Sequence, residues 1–417
     1  MKKTVLALLA LTFFVVLVSI SVVPNTVDQQ SGSQQASLFS KDGVTEASLR
    51  KIYATSGKQN SRQRTAWDSE KKLKVLIVPG HDDESSGAQF NHVREADLTV
   101  ELGEELYRLL QQDSSLNVSL LRTKDGYDPE FYSYYENNRS EIFKFIDAHK
   151  EIMNGLLSSG DYEPIVNIYH NTVPTDVALK LYGINKWANE NGVDIVLHIH
   201  FNDYPRKVRN VEGKYSGFAI YVPESQYSNS VGSKALAESI RKRMDAFYPQ
   251  SNLPTESGGV LEDQELIAIG SHNTLDGAGV LIEYSYIYEP QFTDPSTRAV
   301  MMSDLALQTY LGVQDFFGNK TDEGGPYGSR LLPYQWNTDL DKISTINPDV
   351  LSLQAALAQE GLYPPPGNSK NDCPISGFFG SCTQKSVALF QEKYGLQPAL
   401  GFVGELTRSK LNELYGK

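Results

Sequence analysis

A chain of 417 residues exceeds what one ordinary hydrophobic core organises, so at least two folded units are expected. Hydrophobic residues make up 40% and charged residues 21%, which excludes wholesale disorder and a multi-spanning membrane protein. The formal net charge is −13 and no run of five basic residues occurs, which argues against a nucleic acid held through its phosphates.

Met1, Lys2 and Lys3 precede an apolar stretch from Val5 to Val23 that Pro24 closes. Two lysines before about 20 apolar residues fit a long signal peptide or an N-terminal membrane anchor over 1–24; either way the remainder is expected to be exported to the cell envelope. Residues 25–72, rich in Gln, Ser, Lys and Asn, read as a linker with one short helix around Glu46 to Ala54.

From Leu73 the pattern changes. Apolar, β-branched runs at Val75 to Val78, Val118 to Leu121, Ile195 to Ile199, Phe218 to Val222 and Val280 to Tyr286 read as strands. Between them lie helical periodicities such as Leu98, Leu102, Leu106, Leu109 and Leu236, Ile240, Met244, Phe247. The alternation predicts an α/β domain over 73–318, a mostly parallel sheet flanked by helices, closing on a helix from Thr297 to Phe317. Gly324-Gly325-Pro326, Gly328 and Pro333 make 319–345 a second linker. In 346–417 the pattern G-F-x-G-x-x-T occurs twice, at Gly377 to Thr383 and Gly401 to Thr407, each before a helix-like segment for which the Thr is the expected N-cap. With an earlier helix at about 349–361 this predicts a small three-helix domain. Cys373 and Cys382 are the only cysteines, and in an exported chain so close a pair reads as a disulfide, stabilising by about 2–3 kcal/mol on the chain-entropy account.

Four segments carry residues suited to a metal site. Val75 to His81 is a buried strand running into a Pro-Gly turn that presents His81 past its C-terminal end, where ligands of open α/β sheets collect. Glu95 precedes the helix that begins its apolar face at Leu98, where a carboxylate also suits the helix dipole. In Asp194 to Asn202, His198 and His200 lie two apart on a strand and so share a face, as a chelating pair would. Glu283 interrupts an otherwise apolar strand, which is costly unless the carboxylate is paired or functional.

Taken together, V-P-G-H at His81, R-E-A-D-L at Glu95, H-I-H-F-N at His200 and L-I-E-Y-S-Y at Glu283 resemble the zinc amidases known as amidase type 3, as does L-R-T-K-D at Leu121 to Asp125. The resemblance covers about 73–318. It implies an N-acetylmuramoyl-L-alanine amidase with His81, Glu95 and His200 as zinc (Zn2+) ligands and Glu283 as general base, with His198 and Asn202 beside the ligands rather than among them. The family's G-H-G-G is here Gly80-His81-Asp82-Asp83, and an insertion over about 126–177, with aromatic Phe131 to Tyr135 and a helix at 139–157, separates matching segments. The tail resembles the three-helix peptidoglycan-binding domain often fused to wall hydrolases, which makes peptidoglycan the expected partner. Two other readings stay open: a non-catalytic peptidoglycan-binding regulator of wall hydrolases, and a zinc carboxypeptidase acting on stem peptides.

Overall fold

A computed structural model describes residues 72–165, 173–206, 208, 210–269, 277–342 and 346–416. The apolar stretch up to Pro24 and the short helix around Glu46 to Ala54 lie outside these residues. Among the described residues no helix is long and apolar enough to cross a membrane.

The elements follow in chain order: β1 (Leu73–Pro79), β2 (Gln89–Phe90), β3 (Val93–Arg94), α1 (Glu95–Leu110), β4 (Leu116–Leu120), β5 (Arg122–Thr123) and β6 (Gly126–Tyr127). Then come α2 (Pro129–Asn137), α3 (Arg139–Ser159), α4 (Thr175–Glu190), β7 (Ile195–Asn202), β8 (Ala219–Pro223), α5 (Ser230–Phe247), β9 (Val260–Asp263) and β10 (Ala278–Tyr286). Helices α6 (Pro290–Thr293), α7 (Pro295–Phe317), α8 (Pro348–Gln359), α9 (Ser381–Lys393) and α10 (Glu405–Tyr415) complete the chain.

Six strands form one sheet in the order β4-β1-β7-β10-β8-β9. The first four are parallel, β8 runs antiparallel to β10, and β9 is parallel to β8, so the sheet is mostly parallel as expected. Strand β9, with its acidic Glu262 and Asp263, has no apolar run and was not legible. Leu73, Val75 and Ile77 of β1 join Leu98, Leu102 and Leu106 of α1 and Ile240 of α5 on one face. Leu76 and Val78 meet Phe131, Ile142 and Trp187 on the other. Burial on both faces is why β1 and β7 read as continuous apolar runs rather than alternating ones. Helices α2 and α3, from the expected insertion, therefore cover the sheet together with α4.

Helix α7 begins at Pro295, two residues before the expected start. Asp294 accepts from the backbone N–H groups of Ser296 and Thr297, Pro295 supplies a preset φ, and Gly318 ends the helix in the left-handed conformation. Such a cap is worth about 1 kcal/mol.

At the C-terminal end the two repeats each precede a helix, but Thr383 and Thr407 do not cap them; Gly380 and Gly404 hold that position. Each threonine hydroxyl instead accepts from a glutamine of the preceding helix, Gln354 Nε2 at 3.0 Å and Gln391 Nε2 at 2.9 Å. The same glutamines accept from the N–H groups of Gly377 and Gly401 through Oε1. A buried amide stapling the turn satisfies more of its polar groups than an exposed cap would. Cys373 and Cys382 are bonded.

Of the segment expected as a linker over 319–345, the described residues 319–342 lack long elements yet are not a free spacer. Leu331, Leu332 and Trp336 are buried in the same core as the sheet and the C-terminal helices. Trp336 Nε1 donates to the Asp349 carbonyl at 3.0 Å, its backbone exchanges hydrogen bonds with the Asn412 amide, and Leu340 pairs with Val403. Lys370, just before the disulfide-bonded Cys373, donates to the carbonyls of Asp245 and Ala246 at the end of α5, and Asn371 donates to that of Gln250.

Two outcomes follow from this packing. Trp336→Ala should destabilise by about 3–5 kcal/mol, the usual cost of truncating a buried aromatic. Calorimetry should then show one shared transition moving down; two independent transitions, only one of them shifted, would contradict a common core. Burial also holds His149 of α3 at a pKa of about 4, below its ordinary 6.5. The folded value is the lower one, so the stabilisation is complete above pH 6.5 and is lost as the pH falls towards 4, by up to about 3 kcal/mol. Urea titrations at pH 7 and pH 5 should show His149→Leu losing less stability on acidification than the parent.

Candidate metal centre

Strands β1, β7 and β10 are adjacent and parallel, so their C-terminal ends open on one side of the sheet, where a parallel α/β fold gathers ligands. His81 follows β1, His200 is on β7, Glu283 is on β10 directly opposite His200, and Glu95 opens α1. The pairing of β10 with β7 slips just beyond this point, between Glu283 and Tyr286, a bulge of the kind that re-aims side chains beside functional sites.

Glu95 meets both histidines. Its Oε2 lies 3.2 Å from His81 Nε2 and its Oε1 lies 3.0 Å from His200 Nδ1. Among the described residues these three are the group of His, Cys, Asp or Glu side chains able to hold a metal ion, with donor atoms within 4.8 Å of one another. Ala88 N–H donates to Oε2 at 2.9 Å and Phe201 N–H to Oε1 at 3.1 Å. Burial pushes the Glu95 carboxyl up, but the hydrogen bonds and charges of His200 and His81 outweigh it and hold the group well below the usual carboxylate range. Helix α1 has no side-chain cap; its first N–H groups, on Glu95 and Ala96, donate to the carbonyls of Ala88 and Ser86. Helix start and site are thus one construction.

His81 has φ 62°, a left-handed conformation that costs a non-glycine residue about 1–3 kcal/mol and persists only where surroundings enforce it. The Gly80 carbonyl before it accepts from Thr99 Oγ1 at 2.7 Å and from the buried Arg122 guanidinium at 3.2 Å. His81 Nδ1 lies 3.2 Å from the Ser85 carbonyl, so as the donor it leaves the Nε2 lone pair facing Glu95. A second hydrogen bond that fixes the tautomer in this way is what metal-ligating histidines have.

Glycine makes the closure possible. A Cβ on Gly80 would stand 2.3 Å from His200 Cε1, and one on Gly87, which has φ 68°, would stand 2.4 Å from Glu95 Oε2. Two imidazoles and a carboxylate are a donor set of the catalytic zinc class. The residues therefore fit the ion.

His198, one step back on the same face, is outside this group; it is buried, its Nε2 has no hydrogen-bond partner, and burial with the nearby His200 lowers its pKa to about 3. Asn202 donates to Glu256 at 2.8 Å rather than to a proposed ligand. Glu256 also accepts from the hydroxyls of Tyr221, Ser251 and Tyr286, so a carboxylate that no sequence pattern flagged lies beside the site. Burial, then the charges of Glu95 and Glu256, push Glu283 well above the usual carboxylate range. A cavity of about 660 Å³ lies between α1, Asp82 to Glu84 and the aromatic face of α2; His81, Glu95 and His200 do not line it.

Gly80→Ala should force the His200 ring away from Glu95. Metal analysis of the purified protein should find substoichiometric zinc with the far-UV circular dichroism unchanged; full zinc occupancy would show that the close approach is dispensable.

Comparison with known proteins places these observations in a family. The model of the N-acetylmuramoyl-L-alanine amidase family matches residues 75–315, and that of a peptidoglycan binding domain matches residues 347–411. No curated protein matches the chain. Similar solved structures include the catalytic domain of CwlV, an N-acetylmuramoyl-L-alanine amidase from Bacillus (Paenibacillus) polymyxa var. colistinus, at 16% identity and TM-score 0.37, covering 60% of this chain and 99% of that one. An N-acetylmuramoyl-L-alanine amidase from Clostridium difficile 630 is 16% identical with TM-score 0.37, covering 60% and 100%. AmiC2 of Nostoc punctiforme is 15% identical with TM-score 0.35, covering 60% and 98%. With more than half of its length matched by the family model, the chain belongs to the N-acetylmuramoyl-L-alanine amidase family.

Proposed function

We propose that this protein is a zinc-dependent N-acetylmuramoyl-L-alanine amidase of the cell envelope, with its catalytic domain over 73–318 and its peptidoglycan-binding domain over 346–417. The observation that carries the reading is the meeting of His81, Glu95 and His200 at one point, with Glu283 directly across from His200 on the neighbouring strand. His81 Nε2, Glu95 and His200 Nδ1 would hold the ion. Zinc at such a site supplies Lewis acidity, which polarises a carbonyl and makes water a stronger acid.

The protein's own residues supply the rest. Glu283 takes a proton from the attacking water as its oxygen bonds to the carbonyl carbon of the lactyl group. It then delivers that proton to the L-alanine nitrogen as the C–N bond breaks, so water is consumed and no covalent enzyme intermediate forms. Its position beside two other carboxylates favours holding a proton between those steps, a property of groups that serve as base and then acid. His198 and Asn202 support the strand end without binding the ion. The C-terminal domain tethers the enzyme to peptidoglycan, and the N-terminal 24 residues direct export.

Digestion of purified sacculi with mass spectrometry of the fragments tests the reaction, and chelation should abolish it. His200→Ala should lose zinc and activity together. Glu283→Gln should stay zinc-replete while its rate falls by about 10²-fold to 10⁴-fold, the usual worth of a positioned general base. A zinc-replete Glu283→Gln protein with the parental rate would remove Glu283 from the mechanism. His198→Ser should keep its zinc, and a depleted variant would make His198 a ligand.

A further inference from the structure

We infer that the 126–177 insertion acts on the metal centre through Asp82, clamping the loop that carries His81; the inference rests on the zinc reading above. Asp82 stands where the resembled family has glycine, directly after a proposed ligand whose φ of 62° needs external enforcement. Its side chain is used on both oxygens. Oδ1 accepts from the N–H groups of Glu84 at 3.0 Å and Ser85 at 2.9 Å, closing the turn whose Ser85 carbonyl orients the His81 ring. Oδ2 accepts from the Tyr127 hydroxyl at 2.8 Å and from the Lys180 ammonium.

Tyr127 and Lys180 mark the two borders of the insertion, one just inside it and one just beyond it. Tyr127 opens it on β6, and Lys180 lies on α4, just after it. The Lys180 ammonium also lies 5.2 Å from the centroid of the Tyr127 ring and 3.2 Å from Glu84. Asp82 is buried, and both donors reach the same oxygen of its side chain. A glycine at this position offers no such grip. The insertion therefore serves as a buttress: its first strand and the helix that follows it converge on one carboxylate, and that carboxylate fixes the turn that aims His81 Nε2 at Glu95. Asp82, Tyr127 and Lys180 are positioning residues, since none of them touches Glu95 or His200.

The test uses Tyr127→Phe and Lys180→Met in the full-length protein, with zinc affinity read by competition against a chromophoric chelator. Tyr127→Phe removes only the hydroxyl and keeps the ring against Phe131, so folding is preserved. Each variant should weaken zinc binding by about 10-fold or more, the usual effect of losing an outer contact that orients a ligand. Tyr132→Phe, on the exposed side of the same insertion, should leave affinity at the parental value. The fall in kcat should exceed any change in KM. Parental zinc affinity in both variants overturns the inference, also if their melting temperatures drop, because the contacts would then be merely structural. Parental zinc affinity in His200→Ala would instead remove the metal-site reading itself, so the two failures are told apart.

Discussion

A charge buried at the first residue of a helix must be met from several directions, and at Glu95 it is met by four residues from three segments of the chain. His81 comes from the loop after β1, Ala88 from the turn before β2, and His200 and Phe201 from the end of β7. Helix α1 adds its own field, since a carboxylate in the first turn faces the positive end of the dipole. Removing any one donor would leave a buried carboxylate short of a partner, which is why the local geometry is so constrained. The glycines at 80 and 87 are the steric counterpart of that constraint, because a Cβ at either place would occupy the space of the His200 ring or the Glu95 carboxylate.

The sheet sets the distances. Parallel pairing of β1, β7 and β10 brings three strand ends to one level, and the bulge beyond Glu283 turns the last of them. One layer of helices supplies Glu95 through α1. The opposite layer, built largely by the insertion, reaches the His81 loop through Asp82. The same turn is thus held at two acceptors: the Gly80 carbonyl takes Thr99 of α1 and Arg122 of β5, and the Asp82 carboxylate takes Tyr127 of the neighbouring β6 and Lys180 of α4.

The C-terminal helices are joined to the catalytic sheet by more than a tether. Trp336 and its neighbours share one apolar core with both, and Lys370 caps the carbonyls at the end of α5, where a cation also complements the helix dipole.

What the amino-acid sequence determined by itself was local. The apolar runs of β1, β7 and β10, the periodicity of α1, α5 and α7, and His81, Glu95, His200 and Glu283 as candidates were all readable. Each depends on a spacing of a few residues, and the motifs sit where a strand or helix ends. Tertiary structure alone decided which candidates meet. His198 and His200 share a strand face and look equivalent in sequence, but only His200 lies at the level of Glu95. It also decided that Asn202 turns to Glu256, that the glutamines Gln354 and Gln391 hold the repeats where threonine caps were expected, and that Leu331, Leu332 and Trp336 of the expected linker are packed. Those outcomes depend on partners tens to hundreds of residues away, as Asp82 depends on Lys180, 98 residues later. No local spacing encodes such contacts, because they are made by the packing of layers on a sheet and not by the period of any one element.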